Sequence, residues 1–146
     1  MNFKIVVASA PECDQIDDNL EKYNELALPI LQENKFESFS YAAKDSNGKL
    51  IGGCVAYSSY YYIGYVDTLW VDEEYRNQGV GSKLMDQVEK SLKDYGCSLC
   101  HLDTFSFQAP GFYEKRGYKI FGTLEHKKAG ISEYFLVKDL SGETNG

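Results

Sequence analysis

The stretch VDTLWVDEEYRNQGVGSKLM, residues 66–85, decides how this chain is read. Val66 to Val71 has the pattern of a strand, Asp72 to Tyr75 is an acidic turn, and Gly79 and Gly81 open a helix. Glycines at that point remove the side chains that would hold a ligand away from the backbone. The helix that follows aims its unpaired first-turn N–H groups and the positive end of its dipole at the same spot. The arrangement is an anion site, and a pyrophosphate suits it.

The helix itself is strongly patterned. Val80, Leu84, Val88 and Leu92 fall on one face beside Met85 and Tyr95, and Gly96 ends it. Downstream, Cys97 to Phe105 reads as a strand. A short helix then runs from about Phe107 to Arg116, with Pro110 in its first turn and Gly117 as its stop. Tyr118 to Leu124 and Ser132 to Val137 read as a closing pair of strands around Gly130.

Upstream, Phe39 to Lys44 and Leu50 to Tyr57 flank the hairpin turn Ser46-Asn47-Gly48, and a second turn near Tyr62 to Gly64 leads into the strand Tyr65 to Val71. At the start of the chain, Phe3 to Ala8 is β-rich and Pro11 closes it. From about Asp14 to Gln32, Ile16, Leu20, Tyr23, Leu26 and Ile30 recur at helical spacing; Pro29 marks a break, so one or two helices fit.

The 146 residues predict one domain over residues 1–140, followed by a disordered polar tail over residues 141–146. With 15 Lys and Arg against 22 Asp and Glu, the net charge of -7 argues against nucleic acid and anionic membrane as partners and favours a cationic one. No apolar run approaches the roughly 20 residues of a membrane span, and no signal-peptide pattern opens the chain, so a cytoplasmic protein is expected. Cys13 and Cys54 are isolated, and Cys97-x-x-Cys100 lacks a second ligand pair. In an extended strand those two cysteines point to opposite faces. Reduced thiols and no metal are the expectation.

Two phosphate-binding motifs compete for Arg76-x-x-Gly79-x-Gly81, and neither fits it. A P-loop needs Gly-Lys-Ser/Thr, whereas this chain has Gly81-Ser82-Lys83. A dinucleotide fingerprint would place a third glycine where Leu84 stands, although Asp103 falls near the position of a ribose-binding acid. A glycine turn that only caps a helix is the default for two glycines alone.

The surrounding pattern, from about Phe36 to Leu140, resembles the Gcn5-related N-acetyltransferase (GNAT) superfamily. Its first motif, Arg or Gln-x-x-Gly-x-Gly or Ala after a strand, is matched by Arg76, Gly79 and Gly81. Its second, Asn-x-x-Ala-x-x-x-Tyr-x-Lys-x-Gly-Phe, is matched by Ala109, Tyr113, Lys115, Gly117 and Tyr118, with Ser106 where the asparagine is common. The resemblance implies an α/β (α+β) fold: a mixed, strongly twisted sheet of six to seven strands flanked by about four helices. The sheet splays open between its fourth and fifth strands. Acetyl-coenzyme A would lie in the gap as acyl donor, its pantetheine paired with Leu69, Trp70 and Val71 and its pyrophosphate cradled by Asn77, Gln78, Gly79, Val80, Gly81 and Ser82. Arg76 would add charge, and Ser106, shorter than asparagine, would take its place at the cofactor.

The implied chemistry is acetyl transfer to a primary amine of a small molecule or peptide. An alkyl ammonium of pKa about 10.4 is neutral only about once per 10³ molecules at pH 7, so a base is useful. Asp67 is the first candidate: two residues before Leu69, simple alternation puts it on the same face. Tyr65 and Glu25 are alternatives. Tyr113 is expected to protonate the departing thiolate, and Asp103 and Thr104 to line the site. The tyrosines of Tyr57 to Tyr62 suit β structure, an acceptor pocket or a homodimer contact. Glu12, Asp14, Asp17 and Asp18 favour a cationic acceptor. The alternative function is a catalytically silent acyl-coenzyme A binder or sensor, which would need neither Tyr113 nor a base.

Overall fold

The computed structural model describes residues 1–142 and divides into two compact units, Met1–Leu31 and the chain from Gln32 onward. The expected tail therefore lies outside the described residues from 143 on. Its first residue, Ser141, is tied down by bonds from its N–H to the Ser98 carbonyl and to Asp139.

The first unit is one helix, α1 (Ala10–Ala27). It begins earlier than its apolar spacing suggests because Ser9 caps it: the Ser9 hydroxyl accepts from Glu12 N–H and Glu12 accepts from Ser9 N–H. Pro11 thus sits in a first helical turn and does not close a strand. The helix stops at Leu28, ahead of Pro29, so one helix forms and not two. The β-rich run Phe3 to Ala8 joins no strand pairing. A strand forms only where another strand accepts its backbone groups, whatever its propensity.

The second unit carries β1 (Phe36–Ser38), β2 (Tyr41–Lys44), β3 (Leu50–Ser59), β4 (Ile63–Val71), α2 (Val80–Tyr95), β5 (Leu99–Phe105), α3 (Pro110–Lys115), β6 (Lys119–His126) and β7 (Ile131–Asp139). A 3₁₀ turn, Glu73–Tyr75, follows β4. The described helices are thus three and a 3₁₀ turn. The seven strands form one mixed sheet in the order β1-β3-β4-β5-β7-β6, with β2 also paired to β3. The single strand expected over Phe39 to Lys44 is interrupted at Ser40, whose hydroxyl takes the ladder position by accepting from Ala56 N–H at 3.1 Å.

Leu84, Met85, Val88 and Leu92 of α2 are buried against Cys54, Ala56, Val66, Cys100, Leu102 and Leu136. Each such side chain contributes roughly 1.5–3 kcal/mol by leaving water, which clamps α2 to the centre of the sheet. No described helix is long and apolar enough to cross a membrane.

Two irregularities of the sheet position the site. The first is the parallel contact between β4 and β5, which comprises only Ile63 with Leu99, Gly64 with Cys100 and Tyr65 with His101. Beyond it, β4 stays with β3 as far as Val71 and β5 stays with β7 as far as Phe105, so the sheet opens. Gly64 stands at the vertex because a Cβ there would lie 2.8 Å from the Leu99 carbonyl oxygen. The second is a β-bulge. Val55 faces Thr68 and Ala56 faces Val66, which leaves Asp67 as an extra residue on β4. Simple alternation therefore fails between Asp67 and Leu69: Leu69 pairs with Cys54, on the core face shared by Val66 and Ala56.

Candidate active site

A cleft of about 910 Å³ fills the split between β4 and β5. One wall is Val66 to Val71 of β4, the opposite wall is Leu102, Asp103 and Thr104 of β5, and Phe112 and Tyr113 of α3 also line it. Tyr75, Arg76, Asn77, Gly79, Val80, Gly81 and Ser82 complete the lining, with the Phe112 ring next to Gly81. The volume falls within the range of small-molecule sites.

The glycine turn leaves the first-turn donors of α2 uncommitted. Gly79 is the N-cap residue at φ 81°, a left-handed conformation that suits a residue without Cβ, and no side chain caps the helix. No acid occupies its first turn. Helix α1, by contrast, is closed by Ser9 and Glu12. Arg76 is held to the end of β4 by a bond from its Nε to the Val71 carbonyl at 3.2 Å. These features fit a polyanion approaching along the turn.

Tyr113 is 9% exposed. Burial pushes its hydroxyl up to about 12, with Cys54 and Cys100 nearby adding to the shift. It is accordingly a protonated donor at neutral pH. Its ring packs edge-on against Phe112 and Tyr118. Cys54 and Cys100 are buried thiols, raised by burial to about 11 and about 12, which makes them inert neighbours and not nucleophiles. Among the described residues no group of three or more His, Cys, Asp and Glu side chains is gathered as a metal site.

Most of the residues singled out from the sequence converge here: Asp67, Leu69, Trp70, Val71, Arg76, Asn77, Gly79, Val80, Gly81, Ser82 and Tyr113 all line the cleft, as do Asp103 and Thr104. Asp67 is exposed and reaches it from the bulge, for a different reason than alternation. Glu25 lies on α1, in the first unit. Gln78 and Ser106 are not part of the lining. The Gln78 amide turns back to the Glu74 carbonyl at 3.1 Å. Ser106 is occupied in structure, its hydroxyl accepting from Ser132 N–H at 3.0 Å. Gln108, by contrast, lines the cleft and accepts from Phe105 N–H at 2.7 Å and from Thr104 Oγ1 at 3.1 Å. Phe112, whose ring faces Gly81, also lines the cleft. A lone phenylalanine on a six-residue helix carries no periodic signal that would mark it.

The model of the acetyltransferase (GNAT) family matches residues 6–118. A blasticidin-S acetyltransferase from Streptomyces morookaense is 34% identical over 113 residues, which covers 77% of this chain and 82% of that protein. The crystal structure of an acetyltransferase from Bacillus cereus ATCC 14579 superposes with a TM-score of 0.86 at 36% identity, covering 94% of this chain and 97% of that one. A candidate streptothricin acetyltransferase from Bacillus anthracis str. Ames, solved in complex with acetyl coenzyme A, matches with a TM-score of 0.62 at 25% identity, over 80% of this chain and 67% of that one. A mixed sheet split beside a glycine turn is thus the fold of an acyl-transferring enzyme. The chain belongs to the GNAT acetyltransferase family, and it is an acetyl-coenzyme A-dependent N-acyltransferase.

Proposed function

We propose that the cleft takes acetyl-coenzyme A with its pantetheine along Leu69 to Val71 and its pyrophosphate on Asn77 to Ser82, and that the enzyme acetylates a primary amine of a cationic small molecule or peptide. The observation that carries this reading is the end of β4–β5 pairing at Tyr65 and His101, which frees the β5-facing edge of β4 for an extended ligand. The uncapped start of α2 supports a pyrophosphate there. Relatives named for blasticidin S and streptothricin support a small-molecule acceptor, and the net charge of -7 supports a cationic one. The reading takes residues 1–140 as one acetyltransferase domain, because the family match starts at residue 6, in the first unit.

Acetyl-coenzyme A supplies the thioester. Asp67, directly or through water, takes a proton from the acceptor ammonium, so that the amine nitrogen attacks the acetyl carbon. As the carbon–sulfur bond breaks, the Tyr113 hydroxyl gives its proton to the thiolate; the nitrogen, cationic after attack, sheds its second proton through water, which restores the Tyr113 hydroxyl and leaves the acetyl group on a neutral amide.

The nearest atoms to a Cβ at Gly81 are those of the Phe112 ring at 3.5 Å and Val71 at 3.7 Å, ordinary contact distances, so the fold accommodates a small side chain, whereas a valine would project into the phosphate approach. Folded Gly81→Val should lose most of the thermal stabilisation that coenzyme A gives the wild type. An equal shift in both proteins would refute the pyrophosphate placement. A thiol-release assay over polyamines, aminoglycosides, amino acids, peptides and blasticidin S identifies the acceptor; turnover confined to uncharged amines would overturn the cationic assignment.

A further inference from the structure

Arg116 ends α3, three residues after Tyr113, yet its guanidinium is spent on α2. Nη1 donates to the Ser82 carbonyl at 3.4 Å. Nη2 donates to Asp86 Oδ1 at 2.7 Å and lies 3.3 Å from Glu89 Oε2. Ser82, Asp86 and Glu89 follow at helical spacing, so one side chain spans the first turns of α2 along a single stripe. Ser82 belongs to the glycine turn. The same guanidinium lies 6.0 Å over the Phe112 ring, which is the ring that faces Gly81.

Glu89 extends this contact behind the site. Its side chain is only 10% exposed, and it accepts from the Tyr118 hydroxyl at 3.0 Å and from Lys138 Nζ on β7. Tyr118 in turn packs against the Tyr113 ring at 5.9 Å between centroids. One buried carboxylate, shared by two cations and a tyrosine, thus joins α2, the end of α3 and β7. Burying charge in this way is a weak source of stability, because desolvation offsets much of the attraction. What it supplies is a fixed geometry between the elements it ties.

The two halves of the proposed reaction lie on those elements: the phosphate turn opens α2, and the thiolate's proton donor sits on α3. We propose that Arg116, held by Asp86 and Glu89 and bonded to the Ser82 carbonyl, is a positioning residue that sets the reach between the phosphate turn and the Tyr113 hydroxyl. The inference rests on the roles proposed above for that turn and for Tyr113. A displacement of about 1 Å at such a site costs on the order of 10²-fold in rate, so a latch of this kind acts on turnover before it acts on affinity.

The test is a double-mutant cycle in steady-state kinetics on the full chain, using Arg116→Met, Tyr113→Phe and the pair, with Arg116→Lys as a second route should Arg116→Met fail to fold. Arg116→Met should lower kcat by 10- to 100-fold with a small change in the KM for acetyl-coenzyme A. In the Tyr113→Phe background it should lower kcat less than threefold, because a misplaced acid that is already absent costs nothing more. Arg116→Lys, which keeps the charge but not the fork, should fall between. If the two losses multiply, Arg116 does not act through Tyr113 and the inference fails while the acid role stands. If Tyr113→Phe alone leaves kcat unchanged, the acid role fails first and the inference with it.

Discussion

Tyr65 donates its hydroxyl to Asp103 Oδ1 at 3.0 Å, across the line where β4 and β5 part. The last backbone pair between those strands is Tyr65 with His101, and Asp103 lies two residues further along β5. A side-chain bond therefore takes over where the ladder stops. The Tyr65 ring packs between Tyr57, at 5.4 Å, and His101, at 4.8 Å. Burial raises its hydroxyl well above the ordinary tyrosine value, and the bond to Asp103 adds to this. Tyr65 is thus a hydrogen-bond donor at neutral pH, which argues against it as the base.

The vertex of the split depends on Gly64. An alanine there places Cβ 2.8 Å from a backbone oxygen, which can yield only by moving the strand. Gly64→Ala should destabilise the protein by about 1–3 kcal/mol, the cost of overpacking, and lower Tm by several degrees. Thermal unfolding checks this; an unchanged Tm would mean that the β4–β5 contact is looser than described.

Tyr113→Phe removes only the hydroxyl and keeps the packing against Phe112 and Tyr118. It should lower kcat by roughly 10- to 10³-fold with the affinity for acetyl-coenzyme A nearly unchanged. The pH profile gives a second check. A hydroxyl raised to about 12 keeps its proton through the neutral and alkaline range, so wild-type kcat should show no alkaline limb from this residue until pH nears that value. A limb near pH 8 that vanishes in Tyr113→Phe would contradict the burial.

Asp67 is read as base or as counter-charge, and Asp67→Asn separates the two. A base works only when deprotonated, so wild-type kcat/KM should fall on the acidic side, and that limb should disappear in the near-isosteric amide. A counter-charge alone would change KM and its salt dependence and leave kcat and the pH profile as they were. A variant matching the wild type in both respects would pass the proton to ordered water.

What the sequence by itself determined is what local chemistry encodes. The face of α2 is legible because helical spacing repeats within a few residues, and Gly79 and Gly96 mark its ends through left-handed or related backbone that other residues avoid. The Asn47-Gly48 turn and the order of β3, β4, α2, β5 and α3 follow from equally local signals, and the spacing of Arg76, Gly79, Gly81 and Tyr113 was enough to suggest the chemistry.

What tertiary structure alone decided involves residues far apart in the chain. The bulge at Asp67 exists only in its register against Val55 and Ala56, so alternation along β4 could not reveal it. The β-rich run Phe3 to Ala8 joins no pairing among the described residues, because propensity alone makes no strand. Ser106 is drawn off by Ser132, 26 residues away, and Arg116 reaches Ser82 across 34 residues. Such contacts depend on how the ends of β5, α3 and α2 meet once the core has packed, and no periodicity in the sequence carries that information.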